Sequence, residues 1–135
     1  LPDAPSARCA LDIALWDWNA RALGAPIYRV LGLSPDAAPP TSFSLGIAAA
    51  PELQKKVAEA AAFPILKIKL GAHERDGISD REILRTVRAA APDKRLRIDP
   101  NEGWTLERAR EHFAFLKTLP GPPIELCEQP LPASD

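Results

Sequence analysis

A chain of 135 residues and 14.6 kDa has room for one ordinary domain. Its 46% apolar content can fill a core, and 26% charged residues exclude a membrane span or a disordered tail. Seventeen basic against eighteen acidic side chains leave a net charge of -1, and no basic stripe interleaves with aromatics, which argues against nucleic acid as a partner. Cys9 and Cys127 stand far apart and no signal-peptide pattern precedes them, as expected of a reduced cytoplasmic protein rather than a disulfide framework.

In chain order, Ser6 is a candidate helix cap, and Ala10, Ile13, Ala14, Asp17 and Ala20 recur at helical spacing until Gly24 and Pro26 stop the helix. A short second helix is expected over residues 26–31, ended by Gly32. Residues 33–40 (LSPDAAPP) have the texture of a seam, so the expected division is a helical segment, 1–40, and a second region, 41–135. From Thr41 onward four short apolar runs appear, at 42–48, 64–70, 95–100 and 124–128, with amphipathic helical stretches between them. Pro51 opens the first of these helices, with Leu53, Val57, Ala60 and Ala61 inward. Ser79 and Glu82 form a capping box for the second, which buries Ile83, Leu84 and Val87. Thr105 caps the third, whose buried face is expected to be Leu106, Ala109, Phe113 and Leu116. Strand and helix alternating at this rhythm predict an α/β fold with parallel pairing. An open nucleotide-binding sheet would need a glycine-rich first turn, and Ala48-Ala49-Ala50-Pro51 is no phosphate cradle. A (β/α) barrel instead predicts functional side chains at the C-terminal ends of successive strands.

Those strand ends carry charge. In Leu66-Lys67-Ile68-Lys69-Leu70, alternation sends both lysines to one face, roughly 6.6 Å apart along the strand. Two ammonium groups that close disfavour each other's charge, so one could serve as a base near neutral pH; alternating lysines also protect a plain solvated edge strand. Asp99 and Asn101 share a side at the end of the next strand, suited to a hard divalent cation, although Asp-Pro-Asn-Glu-Gly is also good turn chemistry. On the fourth strand Ile124, Leu126 and Glu128 are expected on one face, where a carboxylate needs a partner. Lys69, Asp99 and Glu128 recur at intervals of 30 and 29 residues, one charged group per strand-helix repeat at a common height. With adjacent strands about 4.8 Å apart, Asp99 and Glu128 can share one cation beside a lysine.

Lys67-Ile68-Lys69, Asp99-Pro100-Asn101-Glu102-Gly103-Trp104 and Glu128-Gln129-Pro130-Leu131-Pro132, with the opening Ala10-Leu11-Asp12-Ile13-Ala14-Leu15-Trp16-Asp17, resemble the enolase superfamily. Within it they are most similar to the muconate-lactonizing subgroup and its L-Ala-D/L-Glu type dipeptide epimerases. The resemblance implies the first four strands of a modified (β/α)7β barrel, 41–135, preceded at 1–40 by the last helices of a capping domain. It implies Lys69 as the base removing the proton alpha to a carboxylate, on the way to an enediolate. Lys67 would hold the substrate carboxylate and depress the pKa of Lys69. Asp99 and Glu128 would be two of three ligands of Mg2+, Asn101 would support them, and Ser44, where a threonine is usual, would contact the substrate.

Residues 41–135 amount to less than half of the roughly 250 that a barrel needs, so the third metal ligand and an opposing lysine would lie on later strands and the chain is expected to be an inactive fragment by itself. A muconate cycloisomerase or an o-succinylbenzoate synthase shares the same lysines and carboxylates, and a non-catalytic half-barrel associating through its strand edges is the third reading. The expected partners are a small carboxylate such as a dipeptide and, at full length, further copies of the chain, with neither nucleic acid nor membrane. His73 and His112 are expected to be solvated. Cys127, Trp16, Trp18 and Trp104 are expected to be packing groups, Asp12 and Asp17 local caps or pairs, and Arg81, Glu82, Arg85 and Arg88 a helix face in water.

Overall fold

The computed structural model describes residues 3–71 and 77–134 and divides the chain into two compact units, Leu1–Pro39 and Pro40–Asp135. In the first unit, α1 (Pro5–Ala22) starts on a proline, whose missing N–H costs nothing in a first turn. Ser6 therefore lies inside the helix, and Ala4, at the cap position, offers no side-chain acceptor. Of the apolar face expected to be inward only Ala20 is buried. Ile13, Trp16 and Trp18 stand exposed in this chain, and the unit's second helix is the short α2 (Ile27–Val30). Asp17 pairs with Arg21 one helical turn away at 2.8 Å. Gly24 and Gly32, with φ of 61° and 70°, close the two helices in the left-handed conformation that costs glycine nothing. A single 3-10 turn, Pro35–Ala37, lies in the proline-rich segment.

The second unit is an α/β layer of four parallel strands, β1 (Ser42–Leu45), β2 (Ile65–Lys69), β3 (Arg95–Asp99) and β4 (Ile124–Cys127), paired in sequence order. Three helices return the chain between them: α3 (Ala50–Glu59), α4 (Asp80–Ala90) and α5 (Leu106–Leu116). Leu45, Leu66, Ile68, Leu96 and Ile98 project to the helix side and meet Leu53, Val57, Ile83, Leu84, Val87 and Ala109 in one core. The Ser79 hydroxyl accepts from the Glu82 N–H at 3.4 Å, and that of Thr105 from the Arg108 N–H at 3.3 Å, so both expected caps form.

On α5 the inward stripe is Ala109 and His112, with Phe115 and Leu116 partly buried, whereas Leu106 and Phe113 are exposed. Residues 109, 112 and 116 follow the helical period, so the polar His112 holds a core position. Strict alternation also fails on β4. Leu96 pairs with Ile124 but Arg97 with Leu126, leaving Glu125 as a bulge. Ile124 and Cys127 consequently both pack against the core, and Ile124 does not share the face of Glu128.

Two cations tie the N-terminal end of the sheet. Arg88, expected in water, is 2% exposed. Its stem lies in the core, and its guanidinium donates to the carbonyls of Pro92, Lys94 and Pro122 at 3.1, 2.9 and 2.6 Å. The Lys94 ammonium donates to the carbonyls of Ala60, Ala61 and Phe63, just beyond the end of α3. These carbonyls leave a helix C-terminus, where a positive charge is favoured. Lys94→Met, which keeps the stem and removes the charge, should lower the unfolding free energy of the 135-residue chain by about 1.5–3 kcal/mol in urea; a change below about 0.5 kcal/mol would show that water replaces the ammonium at no cost.

Candidate active site

The face of the sheet opposite the helices carries the charges. Register places Ser44 beside Lys67 and Lys67 beside Arg97, and at the next outward-pointing level Lys69 beside Asp99. Glu128 follows β4 directly, and its N–H extends the ladder to the Ile98 carbonyl at 2.8 Å. Three C-terminal strand ends therefore meet. Lys69 Nζ lies 2.6 Å from Asp99 Oδ2, and Lys67 Nζ lies 2.9 Å from the same oxygen. The Lys67 ammonium also reaches Glu128 Oε2 at 2.7 Å, bridging the two carboxylates. Asp99 is 1% exposed; Lys67, Lys69 and Glu128 are progressively more open to the solvent above the sheet.

Hydrogen bonds donated to Glu128 and then to Asp99 raise the Lys67 ammonium above the ordinary lysine value. Burial pushes the Asp99 carboxyl upward, but Lys69, Lys67 and the Asn101 N–H outweigh it and hold the group below its usual range. At Lys67 the repulsion expected from a neighbouring lysine is thus overridden, because its ammonium finds two carboxylates. Asn101 contributes through its backbone, donating its N–H to Asp99 Oδ1 at 3.0 Å from a left-handed conformation, φ 52°. Ser44 is exposed on β1, one level nearer the N-terminal end than Lys69. Below the rim, Arg97 donates to the bulged Glu125 at 2.7 Å, a pair that simple alternation did not reveal.

Asp99 and Glu128 supply hard oxygen donors around one positive charge, the donor chemistry of a divalent cation. Among the described residues no group of three or more His, Cys, Asp or Glu could hold a metal, so these two carboxylates can form only part of a coordination shell. His73 lies outside the described residues. His112 is buried, contrary to expectation: its ring stacks on Trp104 at 4.3 Å, and its Nε2 lies 3.8 Å from Asp80 Oδ2. Cys127 packs under the site, where burial and the Asp99 charge push its thiol up to about 11, so it stays protonated and is no nucleophile. Asp80 was not anticipated; a buried tryptophan needs an acceptor for its N–H, and that need was the available signal.

Residues 49–135 match the family model described as enolase C-terminal domain-like, and residues 3–32 match the N-terminal domain of mandelate racemase / muconate lactonizing enzyme. The chain belongs to the mandelate racemase/muconate lactonizing enzyme family. It is 42% identical over 130 residues to the L-Ala-D/L-amino acid epimerase of Pedosphaera parvula, covering 95% of this chain and 35% of that protein. To the L-Ala-D/L-Glu epimerase of Bacteroides thetaiotaomicron it is 37% identical, over 97% of this chain and 32% of the relative. The dipeptide epimerase of Methylococcus capsulatus, solved with Mg and the dipeptide L-Arg-D-Lys, superposes with a TM-score of 0.75 at 36% identity, covering 99% of this chain and 37% of that one. The chain thus spans about a third of the length of these relatives. Its four parallel strands are the corresponding part of an enolase-type barrel.

Burial foremost holds the His112 imidazole below the ordinary histidine value; Asp80 pulls it up, Arg81 and Arg108 push it down, and Glu111 pulls it up. A folded-state value below the unfolded one means that protonation favours unfolding. The stability contributed by neutral His112 is therefore complete above about pH 6.5 and is lost as the pH falls below it. The urea midpoint of the 135-residue chain should drop between about pH 7.5 and about pH 5.5, and His112→Phe should remove most of that drop. An equal drop in both chains would contradict the assignment.

Proposed function

We propose that this chain supplies half of the active site of a Mg2+-dependent epimerase that removes and returns the proton alpha to a carboxylate, acting on dipeptides. The observation that carries the reading is the single ammonium shared by Asp99 and Glu128, with Lys69 on the same Asp99, at the ends of three adjacent strands. In this reading Asp99 and Glu128 are two ligands of the cation, with the remaining ligand from outside these 135 residues, and Asn101 steadies Asp99 through its N–H. A bound Mg2+ would supply Lewis-acid stabilisation of the negative charge that develops on the substrate carboxylate. Lys69 takes the alpha proton as the base. Lys67, charged and central, holds the substrate carboxylate, and Ser44 lies on the same face to contact the dipeptide. Residues 1–40 act as the helical segment leading from a capping domain, and 41–135 as the first half of the barrel. Free thiols at Cys9 and Cys127 support a reducing, cytoplasmic setting. Among the described residues no helix is long and apolar enough to cross a membrane. The names of the relatives favour dipeptides over the muconate and succinylbenzoate substrates of the wider family.

The whole natural polypeptide containing these residues should exchange the alpha proton of an L-Ala-D/L-Glu type dipeptide with solvent deuterium in the presence of Mg2+. Lys69→Ala should lower that rate by about 10²–10⁴-fold, and Asp99→Asn should weaken Mg2+ binding, raising the Mg2+ concentration needed for half-maximal rate. The 135-residue chain alone should be inactive. Turnover by the isolated chain, or an undiminished rate in Lys69→Ala, would overturn the reading.

A further inference from the structure

One carboxylate on the helix side of the sheet is linked to all three functional strand ends. Asp80, in the first turn of α4, is 3% exposed. Its two oxygens accept the Gly71 N–H at 3.0 and 3.1 Å, and Oδ2 also accepts the Trp104 indole N–H at 2.7 Å. Gly71 lies two residues beyond Lys69, and Trp104 five beyond Asp99. The backbone N–H of Trp104 in turn donates to the carbonyl of Pro130, two residues beyond Glu128, at 3.1 Å. The loops joined in this way touch directly. A Cβ at Gly71 would stand 2.5 Å from the Pro100 carbonyl oxygen, and one at Gly103 would stand 2.9 Å from the Gly71 Cα. The close approach, with Gly71 at φ 83°, admits only glycine at position 71.

We propose that Asp80 is a positioning residue for the proton transfer: through the Gly71 N–H and the Trp104 indole it fixes the relative height of Lys69, Asp99 and Glu128. The inference rests on the epimerase reading for its chemistry, and on the contacts above for its geometry. Asp80 is not a catalytic residue, since it faces the loops from the helix side and reaches the site only through them. A buried carboxylate suits the task. It offers acceptors on both oxygens to fixed N–H donors, charge-assisted, whereas an amide at position 80 would set an NH2 group against one of those donors. Reacting groups displaced by about 1 Å can lose about 100-fold in rate, so small slips between these loops matter.

In the whole natural polypeptide, Asp80→Asn and Trp104→Phe should each lower kcat by about 10- to 100-fold with KM within about two-fold, and the double variant should lose little more than either alone. Trp104→Phe keeps an aromatic side chain in the core but removes the indole N–H along with part of the ring volume, and it carries the test if Asp80→Asn does not fold. A lowered Tm with unchanged kcat per folded molecule would make Asp80 merely structural and overturn the inference. If the unsubstituted polypeptide turns over no dipeptide, the epimerase reading itself fails, and the positioning claim is then decided by 15N NMR of the whole natural polypeptide. There, either variant should speed hydrogen exchange at the Gly71 amide and shift the Lys69 Nζ resonance; an unmoved Lys69 resonance overturns the claim.

Discussion

A carboxylate that is almost fully buried yet ionised has to be surrounded by donors, and Asp99 is the group around which this sheet rim is arranged. Its oxygens take two ammonium groups and one backbone N–H. Removing one partner of such a buried pair commonly costs about 3–5 kcal/mol, because the other charge is left stranded. Asp99 keeps Lys69 on the same oxygen if Lys67 moves away, and a divalent cation is the replacement for the Lys67 ammonium that two oxygen donors favour.

The two ends of the sheet are held by different means. At the N-terminal end, Arg88 and Lys94 satisfy backbone carbonyls of loops and of a helix terminus, which fixes the chain without presenting chemistry to solvent. At the C-terminal end the reverse charge does the work, as the Asp80 carboxylate collects N–H donors from the loops that follow β2 and β3. Cations on carbonyls below and an anion on N–H groups above both follow from which backbone groups each end of the layer leaves unpaired.

Much of this was legible in the sequence, for identifiable reasons. Four strands and three helices could be read because apolar period, caps and prolines agree along 41–135. The meeting of Lys67, Lys69, Asp99 and Glu128 could be read because parallel strands of equal repeat length deliver residues to the same height. Alternation failed where the backbone departs from regularity: the β4 bulge turned Ile124 inward and exposed Glu125 to Arg97. Side-chain type misled at Arg88 and His112, whose polarity suggested water although their helical positions face the core. Asp80 stayed hidden because its partners are backbone and indole N–H groups from distant loops, which no local pattern announces.

The most direct measurement is a crystal structure of the whole natural polypeptide grown with Mn2+ and read by anomalous scattering. A single ion touching both Asp99 and Glu128, with the Lys67 ammonium moved off at least one of them, is the predicted result. An ion bound elsewhere, or Glu128 turned away from Asp99 with Lys67 unmoved, would contradict the account.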